Sequence, residues 1–329
     1  MAAVHDLGWG IHRIELPLPI PRLPFVNAYV FPGEEGPVVV DPGAATEDGY
    51  LALKEGLAGL GHDPGDLAAV IATHLHPDHM GLCTRLAAET GCDYVMHATA
   101  ASRVAGYNDW APWRARLIAL ARRNGAPEHA VAALGEEEPR PAWAAPSMIP
   151  NVLVEDGAAI PLAGERHLAV VHTPGHDESH VCLVDSASGL LFSGDHVLPR
   201  ITPFVPYPEE DGDNLGTYLA SLRRIEEIDP PRTLPAHLEP IERGAARAHQ
   251  IALHHRRRLE GMTERLRRSP ASAWAVMEDA FKPDLPPLHA RLAFQETLAH
   301  LEYLRHRGRA ERFEEEGTVL YTAPSWERR

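Results

Sequence analysis

The segment Thr73-His74-Leu75-His76-Pro77-Asp78-His79 packs three imidazoles and a carboxylate directly behind an apolar strand. Imidazole nitrogen and carboxylate oxygen are ligands for zinc and other borderline divalent metals, whereas calcium and magnesium take mostly oxygen. At a strand's end the chain enters a loop, so His74 and His76 face one side while Asp78 and His79 turn toward a neighbouring point. One such loop can feed two metal ions. Three later strand ends each offer one more ligand: His176 in Thr173-Pro174-Gly175-His176, Asp195 in Ser193-Gly194-Asp195 and His237 in Leu234-Pro235-Ala236-His237. Five histidines and two aspartates suit two divalent ions that share a bridging group. Zinc is the first expectation, with iron and manganese as alternatives.

On these residues the chain resembles the metallo-β-lactamase superfamily, whose HxHxDH signature is matched in full by His74 to His79. The resemblance covers roughly residues 8 to 243. It implies that His74, His76 and His176 hold the first metal, that Asp78, His79 and His237 hold the second, and that Asp195 bridges them. It also implies that Asp41, in Val40-Asp41-Pro42-Gly43, braces the metal loop without binding metal. The chain departs from the family pattern at its last ligand, which usually sits in a Gly-His-Gly turn and here is flanked by Ala236 and Leu238. No cysteine occupies a ligand position, unlike the lactamase branch that uses one at the second metal. His97, His172, His180 and His196 lie at strand ends or near a ligand, where they can orient the residues that bind metal.

The elements that must position these groups can be read from the apolar pattern. Val26–Phe31, Val38–Val40, Ala69–Thr73 and Tyr94–His97 read as strands, with helices at Thr46–Leu60 and Met80–Thr90, closed by Gly61 and Gly91. From Val152 consecutive strands follow at Val152–Val154, Leu168–His172, His180–Asp185 and Leu190–Ser193, then a helix at Asn214–Ile228 and a strand ending at Leu234. The fold class is α/β, two sheets packed face to face and covered outside by helices. The resemblance implies a four-layer αβ/βα sandwich with the metals at the sheet edge, agreeing with that texture.

The domain expectation is a catalytic domain over 1–243 and a C-terminal domain over 244–329. Within the first, 107–150 reads as helical, broken at Gly125 and Pro127, and carries Trp110, Trp113 and Trp143. It is expected to be a lid that offers the metals an apolar wall. The C-terminal domain reads as a long Arg-rich helix, two more helices stopped by Gly308, and two strands, 309–313 and 318–322. That order is winged-helix-like and resembles the C-terminal domain of lactamase-like proteins.

Composition excludes several function classes. A formal charge of −15 makes the whole chain a poor binder of polyanions, although Gly244 to Phe313 carries thirteen Lys or Arg against eight Asp or Glu. The three cysteines, Cys83, Cys92 and Cys182, match no disulfide or CxxC spacing and read as small buried hydrophobes. No signal peptide or membrane span is recognised, so a cytoplasmic protein is expected.

The reaction expected is hydrolysis of a small acyl substrate, a thioester, ester or lactone, by a metal-held hydroxide that Asp78 orients or deprotonates. A small-molecule substrate is the expected partner. The rival readings are an endoribonuclease using the C-terminal arginines and an iron-dependent oxidoreductase on the same fold, followed by a non-catalytic metal module.

Overall fold

The computed structural model describes residues 3–20, 23–107, 110–136, 149–207, 212–282 and 285–324. Its first half opens with β1 (Val4–Asp6), β2 (His12–Ile20), β3 (Leu23–Phe31) and β4 (Val38–Val40). These pair antiparallel in chain order. From β4 the sheet turns parallel, adding β5 (Ala69–Ile71) after helix α1 (Glu47–Gly59) and β6 (Asp93–His97) after α2 (Pro77–Thr90). Helices α3 (Thr99–Tyr107), α4 (Trp110–Arg123) and α5 (Glu128–Glu136) precede β7 (Val152–Val154), the last strand of this seven-stranded sheet.

A second sheet is built from β8 (Ala159–Pro161), β9 (His167–His172), β10 (Val181–Asp185) and β11 (Leu191–Gly194). After α6 (Asn214–Ile228), strand β12 (Thr233–Pro235) joins it parallel to β11, giving the order β12-β11-β10-β9-β8. One buried cluster lies between the sheets. Tyr29, Phe31, Val40 and Ile71 from the first meet Leu168, Leu183, Phe192 and Leu234 from the second. Phe192 sits edge-on to Tyr29 and Phe31, with ring centroids 4.9 and 4.8 Å away. A second cluster buries the other face of the first sheet under Leu53 and Leu57 of α1, Leu82 and Leu86 of α2, and Ala100 and Val104 of α3. On the second sheet, Ser221 and Arg224 of α6 donate to the carbonyls of Pro174 and His172. Helix, sheet, sheet, helix is the α/β sandwich expected.

Two local details decide where the site forms. Helix α2 begins at Pro77, three residues before the start read from the apolar pattern, so Asp78 and His79 stand in its first turn and not in a loop. Pro77 sets that start, because its fixed φ suits the first helical position and its missing N–H would have had no partner there. Gly81 then lets the helix lie against the turn after β4, since a Cβ there would sit 2.5 Å from the Ala45 nitrogen. The Leu82 amide donates to the Gly43 carbonyl at 2.9 Å, locking that approach.

The chain divides into two compact units. The first comprises residues 1–108, 140–203 and 221–248 and holds both sheets. The second comprises 109–139, 204–220 and 249–329. It contains α4, α5, most of α7 (Gly244–Arg268), α8 (Ala273–Ala280) and α9 (Pro287–His306). A small sheet of β13 (Ala271–Ser272), β14 (Glu311–Glu315) and β15 (Thr318–Thr322), in the order β13-β15-β14, completes it. Of the three tryptophans assigned to the lid, Trp113 lies under the guanidinium of Arg291, 5.2 Å from its ring centroid. The side chain of Trp110 and all of Trp143 lie outside the described residues. The three cysteines are free thiols and buried. Among the described residues no helix is long and apolar enough to cross a membrane.

Candidate metal centre

The ends of β5, β9, β11 and β12 and the first turn of α2 bring the seven residues singled out in the sequence to one place. His74, His76, His176 and Asp195 form one group of candidate ligands and Asp78, His79 and His237 a second, the ligand atoms of each within 4.8 Å of one another. Asp195 faces both groups: its Oδ2 is 3.7 Å from His176 Nε2, and its Oδ1 is 3.6 Å from His79 Nε2 and 3.4 Å from His237 Nε2. Asp78 Oδ2 lies 3.3 Å from His237 Nε2 and 3.7 Å from His79 Nε2. His76 Nδ1 and His176 Nε2 approach to 3.1 Å.

The surrounding hydrogen bonds fix which nitrogen each ring presents. His79 Nδ1 donates to Asp41 Oδ2 at 2.9 Å, and His237 Nδ1 donates to the Phe25 carbonyl at 3.1 Å. The Thr73 hydroxyl donates to Asp41 Oδ2, so its oxygen is left to accept from His74 Nδ1 at 3.0 Å. All three rings therefore carry a proton on Nδ1 and turn Nε2 inward, the nitrogen that a metal would take. Those three Nε2 atoms, together with Asp195 Oδ1, are buried without a hydrogen-bond partner. Orphaned buried acceptors are costly, and their convergence here fits a site for divalent cations.

The electrostatics point the same way. Burial and the neighbouring imidazoles of His79, His76, His180 and His176 hold His74 well below its ordinary pKa, in the neutral form that binds metal. Burial and His176 lower His76 to about 4. Burial would raise the Asp78 carboxyl, but His79 and His237 outweigh it and hold Asp78 at about 2. Burial would lower His79, yet Asp41, Asp195 and Asp78 push it well above its ordinary value. The pocket therefore favours positive charge wherever its carboxylates converge.

Other residues hold the ligands in place. Asp41 is the hub: besides His79 it accepts from the Thr73 amide at 2.8 Å and the Thr73 hydroxyl at 2.9 Å. His180 Nε2 accepts from the Asp195 amide at 3.1 Å while its Nδ1 meets Thr173 Oγ1 at 2.8 Å. Gly194 is required beside it, because its φ is +48° and a Cβ would come within 2.7 Å of His180 Nε2 and 2.8 Å of Thr73 Oγ1. His172 Nε2 donates to the Glu178 carbonyl at 2.8 Å and stacks on His97, bracing the loop that carries His176. His196 is fully buried next in sequence to Asp195.

Sequence reasoning missed Asn27. Its side-chain amide donates to the carbonyls of Pro235 and Leu238 at 2.9 Å each, and its backbone N–H donates to that of Ala236. Asn27 thereby secures the turn in which Leu238 takes a φ of +68°, where the family places glycine. A buried amide within an otherwise apolar strand was the available signal.

The comparisons agree with this geometry. The family model for the metallo-beta-lactamase superfamily matches residues 21–237, and that for the metallo-beta-lactamase-like C-terminal domain matches 259–324. The chain is 28% identical over 290 residues to "Probable metallo-hydrolase YqjP" of Bacillus subtilis, covering 86% of this chain and 89% of that one. It is 31% identical to acyl-coenzyme A thioesterase MBLAC2 of Gallus gallus, over 69% of this chain and 76% of the relative. A metallo-beta-lactamase family protein from Thermus thermophilus superposes with a TM-score of 0.79 at 30% identity, covering 97% of this chain and all of that one. With its signature residues brought together and two thirds of its length matched by the family model, this chain belongs to the metallo-beta-lactamase superfamily.

Proposed function

We propose that this metallo-hydrolase cleaves an acyl thioester, using two divalent ions, zinc by preference, held by His74, His76 and His176 and by Asp78, His79 and His237, with Asp195 shared. The observation that carries the reading is that the two oxygens of Asp195 face different ligand groups, Oδ2 toward His176 and Oδ1 toward His79 and His237. The imidazole-rich donor set favours zinc over magnesium or calcium. A thioester is preferred among acyl substrates because the chicken relative, similar over 69% of this chain, is named an acyl-coenzyme A thioesterase.

Metal ions bound there would lower the pKa of a shared water toward neutrality and polarise the carbonyl under attack. The protein's own groups supply the rest. Asp41, Thr73 and the Phe25 carbonyl tie Nδ1 of His79, His74 and His237 away from the centre, so that each Nε2 is aimed inward before any ligand arrives. Asp78, held anionic by its two histidines, stays a hydrogen-bond acceptor within the second group and would orient the incoming water. Its depressed pKa makes it an orienting group more than a store for the proton.

The test is a panel of acyl-CoA thioesters, simple esters, lactones, β-lactams and RNA, assayed on protein reconstituted with zinc, manganese or iron. Thioester turnover that requires added metal and is lost in Asp78→Ala at unchanged metal content is the expected result. RNA cleavage without thioester turnover, or full activity in Asp78→Ala, would overturn the assignment.

A further inference from the structure

Helix α7 and helix α8 line an open cleft of about 810 Å³ in the second unit, far along the chain from the candidate metal ligands. Its walls carry Arg257, Arg258, Arg265 and Arg268 against Glu264 and Asp279, with Ala280 exposed beside them and Met262 and Val276 buried behind. Two of the arginines are fixed in place. Arg265 Nε donates to Asp279 at 2.5 Å and Arg258 to Glu296 at 2.7 Å, with the Arg258 guanidinium 4.2 Å above the ring of Phe281. Arg257 and Arg268 are exposed and have no carboxylate partner among the described residues. They stand eleven positions apart on the helix, about 16 Å at the α-helical rise.

Gly261 gives the second, independent observation. It lies in the interior of the 25-residue α7, where glycine weakens a helix, and it lines the cleft. Nothing in the fold demands it: a Cβ at Gly261 would have no atom within 4 Å, and its backbone is ordinary helix. A residue that costs helix stability and relieves no internal clash leaves space for something outside the chain.

We propose that this cleft binds a phosphorylated small molecule of nucleotide size. The volume falls within the range of small-molecule sites, and the guanidiniums offer charge-assisted donors to phosphate oxygens. The two carboxylates in the wall and the chain's net charge of −15 disfavour an extended polyanion. Two sources present this chemistry, a free nucleotide and the nucleotide end of a coenzyme A thioester. Only the second rests on the thioesterase reading.

Isothermal titration of the full-length protein with inorganic phosphate, ADP and coenzyme A separates these cases. ADP or coenzyme A binding is expected, weakened at least tenfold in the double variant Arg257→Glu/Arg268→Glu and by added salt. Gly261→Gln fills the cleft without an internal clash, so it should abolish binding while melting no lower than the parent. ADP binding without thioester turnover keeps the site and rejects the substrate reading, so the two fail separately. The proposal is overturned if neither nucleotide binds, if binding survives Gly261→Gln and the double variant, or if a short RNA binds in their place.

Discussion

At the scale of single residues, the centre depends on which nitrogen of each ring carries the proton. Asp41 decides this for His79 directly and for His74 through Thr73, although it lies outside both ligand groups. Asp41→Asn keeps the shape but turns an N–H₂ toward groups that need an acceptor, leaving buried donors unmatched. We expect it to cost about 1–3 kcal/mol of stability and to weaken metal binding about 10- to 100-fold. Competition with a chromophoric chelator measures the second effect, and unchanged affinity would show that the ring protons are fixed by something else. The candidate ligands could be picked out in the sequence because HxHxDH is dense and the other three each follow a strand. Asn27 was not, because its partners on the His237 turn are more than 200 residues away along the chain, and spacing holds no record of them.

At the scale of elements, what could be read followed the strength of the local signal. Helix α6 has the bounds the periodicity indicated, and the hairpin β14–β15 turns where Glu316 and Gly317 take φ of +48° and +77°. The two-residue β13 and three-residue β8 are too short to carry an alternating pattern, and only pairing with β15 and β9 makes them strands. A buried histidine pair on α7 and α9 gives a prediction at this scale. His255 Nδ1 and His300 Nε2 lie 3.1 Å apart, and His300 Nδ1 donates to the Glu296 carbonyl. Burial lowers His300 to about 3 and, with His300 as neighbour, holds His255 well below its ordinary value. Both folded-state values lie under the unfolded one, so acid protonates the unfolded chain first. Stability is full above about pH 6.5 and falls as the pH drops from there toward about 3 for His300. Each imidazole contributes a slope of up to about 1.4 kcal/mol per pH unit. Urea unfolding at pH 7 and 5, followed at Trp274 beside α9, should show that slope reduced in His300→Gln. An identical slope in the variant would contradict the account.

At the scale of the whole molecule, charge is unevenly spread along the chain, while the candidate metal ligands all fall in one unit. The stretch from Gly244 to Phe313 is net +5 while the remainder is −20, and the carboxylates of Asp78 and Asp195 add a concentrated negative centre to the acidic part. All seven candidate ligands belong to the first unit and come from segments spread between residues 74 and 237. A cation that binds only the folded arrangement stabilises it by mass action, by about 4 kcal/mol when present at a thousandfold excess over its dissociation constant. Chelation should remove that contribution and leave the orphaned ring nitrogens and facing carboxylates uncompensated. A fall in melting temperature on the order of 10 °C is expected from the usual few degrees per kcal/mol in a domain of this size. Hydrogen exchange with and without chelator locates the effect. Amides of β5, α2 and the β11–β12 region should lose protection and regain it on adding zinc, while those of α8 and α9 stay as they were. Equal loss across α8 and α9 would mean that metal binding stabilises the second unit as well, and no loss anywhere would mean that the seven side chains do not need a cation to stay together.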